Sequence, residues 1–163
     1  MSAMPGRARG FTLIEVMVSL VVLSVGLLGI GKLVLFSARA NDSAYLRGQA
    51  TAMAYEILDN MRANRATAIQ HGYDSTLTTV PASPGSCIAS SCSNTTLATY
   101  DLYQWKTRLA ASLPSGEGAV VTAGTPSTAT ITVQWDDAVA QSTFAGAPVG
   151  VAQPMTVVLE TVL

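Results

Sequence analysis

The chain opens with a short basic leader that runs into a long apolar stretch carrying one carboxylate. Pro5-Gly6-Arg7-Ala8-Arg9-Gly10 is followed by Phe11-Thr12-Leu13-Ile14-Glu15-Val16-Met17-Val18-Ser19-Leu20, and the sequence stays apolar to Gly31. From Phe11 to Gly31 there are 21 residues with no charge except Glu15. About 20 apolar residues in a helix, each rising ~1.5 Å, span a hydrocarbon core. Arg7 and Arg9 precede the run. The positive-inside rule places them in the cytoplasm and the bulk of the chain across the membrane. A charge at mid-depth costs roughly 2.5–3.5 kcal/mol, less near an end, and usually has a partner. None lies near Glu15 in the sequence except the backbone amine that a cut before Phe11 creates.

A secretory signal carries an apolar region of roughly 7–15 residues ahead of an A-x-A cut site. This run is longer, yet Ala38-Arg39-Ala40 fits the cut-site pattern and precedes Asn41-Asp42. An exported protein cut after Ala40 and an uncut single-pass anchor are therefore alternatives. Gly10-Phe11-Thr12-Leu13-Ile14-Glu15, with its basic leader, resembles the class III signal of type IV prepilins. The resemblance implies a prepilin peptidase that cuts between Gly10 and Phe11 on the cytoplasmic side and methylates the Phe11 amine. Glu15 becomes the fifth residue of the mature chain. Its carboxylate is then expected to meet the Phe11 amine of a neighbouring subunit and set the axial register. Both charges lie in apolar surroundings, where their attraction is strong and an unpaired charge is costly.

Loss of the leader leaves seven basic side chains against ten acidic ones. From Ala66 onward only Lys106 and Arg108 are basic, against Asp74, Asp101, Glu117, Asp136, Asp137 and Glu160. No nucleic acid is expected as a partner of so acidic a region. Cys87 and Cys92 flank a Ser/Ala loop, and an even pair in an exported chain reads as a disulfide. It closes a small loop and contributes roughly 2 kcal/mol in the chain-entropy picture. A metal centre needs more ligands, and His71 is the only histidine, so neither metal nor cofactor is expected.

No proline interrupts Phe11 to Val80, and the helical pattern is expected to continue to about Thr67. Leu46, Ala50, Met53, Ile57 and Met61 form one face of an amphipathic helix. His71 to Thr99 is polar and turn-rich and reads as a long surface loop. Leu102, Trp105, Leu109 and Leu113 predict a short helix from Asp101 to Leu113, with Asp101 as its N-cap. Strand signals follow at Ala119–Ala123, Thr128–Trp135 and Met155–Leu163, and Asp136-Asp137 reads as a solvated turn. The expected fold is α+β, a long N-terminal helix packed against a small antiparallel sheet. The expected organisation is a leader peptide at 1–10, a membrane and assembly half of the helix at 11–31, an amphipathic half at 32–67 and a periplasmic head at 68–163.

A Trp-bearing helix ending in Leu113-Pro114-Ser115-Gly116-Glu117-Gly118, then Thr130-Ile131-Thr132-Val133-Gln134-Trp135-Asp136, is similar to minor pilins of the PilV type, the type IV pilus modification proteins. The resemblance implies a non-enzymatic subunit that primes type IV pilus assembly in a tip complex. Its expected partners are other minor pilins, the major pilin and a tip adhesin. Its expected location is the inner membrane, then the fibre. No cysteine follows Cys92, so the longer disulfide-closed loop frequent in major pilins is missing. The alternatives are a minor pseudopilin of a type II secretion system and, in another class, an exported or anchored enzyme. Against the enzyme, no Gly-x-Ser-x-Gly elbow is present.

Overall fold

The computed structural model describes residues 10–85, 87–88, 91–137 and 154–163. Arg7 and Arg9 of the leader lie outside the described residues, as do Ser86, Ala89 and Ser90 of the cysteine loop. The chain divides into two units, Met1–Ala38 and Arg39–Leu163.

In the first unit every described residue is exposed, and from Leu13 onward all belong to helix α1 (Leu13–Ala63). The side chains are bulky and apolar all round this part of the helix, as Val16, Leu20, Leu23 and Leu28 illustrate. A helix that is apolar on every face needs lipid or other helices around it. Its hydrogen bonds are closed internally, which is the condition for entering a bilayer.

The second unit holds the rest of α1, then α2 (Arg65–Ala68), α3 (Asn94–Ser112), β1 (Glu117–Ala123), β2 (Thr128–Asp136) and β3 (Pro154–Val162). The three strands form an antiparallel sheet in the order β1-β2-β3. Val120 pairs with Ile131, and Ile131 with Leu159, so one row of apolar side chains crosses the sheet on one face. On β2 that face is Ala129, Ile131, Val133 and Trp135, all buried, and their period of two is the cause. The same core takes in Ala50, Ile57 and Met61 of α1 and Trp105 and Leu109 of α3. The stripe read on α1 therefore does face the core, with Leu46 and Met53 half-buried at its edge.

Three expectations are corrected. Helix α1 stops at Ala63 rather than running unbroken to Thr67, because Asn64 leaves helical geometry. Its side chain instead donates to the Asn94 carbonyl at 2.7 Å and contacts Tyr73 Oη at 3.4 Å. Helix α3 begins at Asn94, so the stretch Asn94–Thr99 is helix and not loop. Its N-cap is Ser93, whose Oγ accepts the Thr96 N–H at 3.2 Å, and Asp101 sits inside the helix. Asp137 is 5% exposed and is not a solvated turn residue. It follows Trp135 by two, so it inherits the inward face of β2, where Ser43 Oγ of α1 donates to its carboxylate at 2.5 Å.

Candidate assembly interface

The residues singled out in the sequence fall into two groups. Gly10, Phe11 and Glu15 belong to the first unit, and Cys87 and Cys92 to the second. Gly10 and Phe11 precede the first turn of α1, and Phe11 is 83% exposed. Their peptide bond therefore lies in non-helical backbone, which is what a protease can bind.

Thr12 starts the helix. Its Oγ1 accepts the Glu15 N–H at 3.3 Å, and its carbonyl accepts the N–H groups of Glu15 and Val16 at 3.1 and 3.3 Å. Thr12-Leu13-Ile14-Glu15 thus has the S/T-x-x-E spacing of a capping box. The amino end of a helix carries partial positive charge, so Glu15 is favourably placed even before it meets another molecule. Ser19 Oγ closes the next turn by donating to the Glu15 carbonyl at 2.7 Å. Among the described residues no cation pairs with Glu15. Along the helix it shares a ridge with Ser19 and Leu23, at steps of four. An anion in an apolar ridge, with its backbone fixed and its carboxylate unmatched, can receive one cation from a neighbouring helix. The Thr12 to Glu15 spacing carries the signal for this cap, set within an apolar run that otherwise has no polar pattern.

In the second unit Cys87 and Cys92 form a disulfide with Cα atoms 5.5 Å apart. It ends one residue before Ser93, so it fixes the approach of the chain to the α3 cap. The two cations of this region are both engaged. Lys106 is 3% exposed and donates to the carbonyls of Thr76 and, at 2.6 Å, Thr79. Burial lowers its pKa, and the Glu117 charge only partly restores it. Arg108 forms an ion pair with Glu56 of α1. Lys106 is thus withdrawn from the surface, and the exposed Arg108 is offset by Glu56. His71 Nδ1 lies 2.8 Å from Asp74 Oδ2, while Asp74 Oδ1 accepts the Thr122 N–H at 2.9 Å. That arrangement ties a turn to β1. Among the described residues no group of three or more His, Cys, Asp or Glu side chains is placed to hold a metal ion.

Comparison with known families agrees with this geometry. Residues 6–31 match the family described as Prokaryotic N-terminal methylation motif. Residues 33–103 match the family described as Type IV pilin Tt1218. The two matches are consecutive and together take in more than half of the chain. The chain belongs to the type IV pilins. No curated protein and no solved structure matches this pilin. The family is structural rather than enzymatic. Membership implies processing by a prepilin peptidase, anchorage in a membrane through the apolar helix, and assembly with other pilins into a pilus or pseudopilus.

Proposed function

We propose that this pilin is a minor subunit of a type IV pilus, of the PilV type, that helps to prime the fibre. The peptidase cuts between Gly10 and Phe11, and the new Phe11 amine is methylated. Before assembly the helix anchors the protein in the inner membrane with its head in the periplasm. In the fibre Glu15 meets the Phe11 amine of a neighbour and sets the axial register. The protein then sits near the tip with other minor pilins, next to the major pilin and an adhesin, and supports twitching and attachment.

One observation carries the reading. Glu15 lies in the capped first turn of α1, whose amino-terminal part is exposed on every face, with no cation paired to it among the described residues. Mass spectrometry of the membrane-extracted protein should find a mature chain beginning at methylated Phe11. A chain beginning at Asn41 would instead mean ordinary secretion. Glu15→Gln and Glu15→Ala should be lost from sheared fibres, and their entry at wild-type levels would defeat the register role. Deletion should abolish surface pili and twitching. Loss of secreted hydrolases with pili intact would assign the protein to a type II secretion pseudopilus.

A further inference from the structure

Helix α1 carries a second isolated charge that the assembly reading does not use. Lys32 follows Gly31 and is itself followed by Leu33, Val34, Leu35 and Phe36. These four are exposed, Leu33 at 70% and Phe36 at 41%. Lys32 therefore interrupts an apolar helix rather than ending it. Among the described residues it forms no ion pair. Cations on the far side of a span also run against the usual excess of Lys and Arg in the cytoplasm.

The interval between the two charges is informative. Val16 to Gly31 is 16 residues, or about 24 Å of helix, whereas the hydrocarbon core is about 30 Å thick. A span that short is accommodated by long side chains reaching to the interface, and Lys does so readily. Removing the charge at Lys32 leaves no charge from Val16 to Ala38, because the next cation is Arg39. That 23-residue run is about 34 Å, enough to slide or tilt. Two frames then become available, differing by the seven residues from Lys32 to Arg39, about 10 Å. In one frame Glu15 is at the cytoplasmic interface and Leu35 and Phe36, about 30 Å further along the helix, reach the outer interface. In the other Leu35 and Phe36 enter the hydrocarbon and Glu15 moves out into the cytoplasm.

We infer that Lys32 binds the phosphates of the outer-leaflet lipids and holds the helix in the first frame, with Glu15 and the Gly10–Phe11 bond at the cytoplasmic membrane surface. The inference rests on the membrane-anchor part of the proposed function. The phosphate layer is the anion that an outward-reaching lysine meets at that depth. The short interval is what makes the contact decisive, since a longer span would tolerate its loss. Leu35 and Phe36 are left at the outer interface, where neighbouring subunits can cover them on assembly.

The full chain, with its disulfide closed, is reconstituted in phosphatidylglycerol vesicles carrying an environment-sensitive fluorophore on Leu35→Cys. The probe should report a polar interface with Lys32 or Lys32→Arg present. Lys32→Leu should shift its emission to the blue, as the probe enters hydrocarbon. In vesicles of digalactosyl diacylglycerol, which lack phosphate, the Lys32 and Lys32→Leu proteins should give the same emission. No blue shift for Lys32→Leu in phosphatidylglycerol overturns the frame. A difference that persists in the galactolipid overturns the phosphate contact. In cells Lys32→Leu should slow leader removal several-fold, read as the ratio of precursor to mature chain, and unchanged processing overturns the link to the cut site. Near-ultraviolet circular dichroism of each variant verifies an intact head. The vesicle readout needs neither peptidase nor fibre, so a chain that never enters pili defeats the proposed function while leaving the frame result standing.

Discussion

Asp101 lies within α3, and Tyr73 Oη donates to its Oδ2 at 2.7 Å. Burial raises the Asp101 pKa, and the hydrogen bond from Tyr73 opposes this only in part. Tyr73 is itself raised, by burial first and by Asp101 second, so it stays a neutral donor. The folded state thus holds the Asp101 proton more tightly than the unfolded chain. Its stabilising contribution is complete below the unfolded carboxyl pKa and is lost as pH rises through the folded value. Asp101→Asn should therefore match wild type in urea melts at pH 3 and exceed it at pH 7. A variant that loses stability at both would show that the charge itself is needed. Tyr73→Phe leaves the carboxylate without its donor and should cost about 1–3 kcal/mol at pH 7. Lys106 has the opposite logic. Its folded pKa is lowered, so its charge opposes folding at neutral pH, yet it holds the segment from Thr76 to Thr79 by two carbonyls. Lys106→Met should leave global stability nearly unchanged while amide exchange in that segment quickens.

Gly116 and Gly118, the glycines of the Leu-Pro-x-Gly-x-Gly motif, acquire a physical reason where α3 gives way to β1. A Cβ at Gly118 would lie 2.4 Å from Trp105 Cη2, and one at Gly116 only 2.3 Å from the Leu109 carbonyl oxygen. The motif allows β1 to start directly against the last turns of α3. Trp105 is fixed from its other side, because its Nε1 donates to the Met53 carbonyl of α1 at 2.9 Å. Gly118→Ala should destabilise by about 1–3 kcal/mol through overpacking. Gly116→Ala should cost more, since a backbone oxygen yields less than a ring edge, and chemical denaturation of the two variants ranks them. At the other end of α3, Ser93→Ala removes the cap and should cost about 1 kcal/mol. The periodicity that revealed this helix lay in its last three turns. Its first turn, Asn94-Thr95-Thr96, has weak helix propensity and no apolar period. Tertiary support supplies what propensity lacks there, through Asn64 bonded to the Asn94 carbonyl.

At the scale of the whole molecule, among the described residues none before Ala50 belongs to the buried core, and the half-buried apolar side chain packed against it earlier than that is Leu46. The fragment Arg39–Leu163 should accordingly fold alone in water. A sharp near-ultraviolet dichroism spectrum and a cooperative urea transition would show it, and a molten fragment would refute it. The first unit has the reverse requirement, since its apolar faces need a bilayer or other helices. The N-terminal methylation motif, the apolar helix with its one carboxylate, the inward stripe of α1 and the alternating β2 were all legible in the sequence. Each depends on spacing along the chain: the length of a bilayer, a period of 3.6 or a period of two. The break at Asn64, the Tyr73 to Asp101 hydrogen bond and the Ser43 to Asp137 hydrogen bond were decided only by tertiary structure. Ser43 and Asp137 stand 94 positions apart, and no local pattern records which polar groups the packing of a sheet on a helix will bring together.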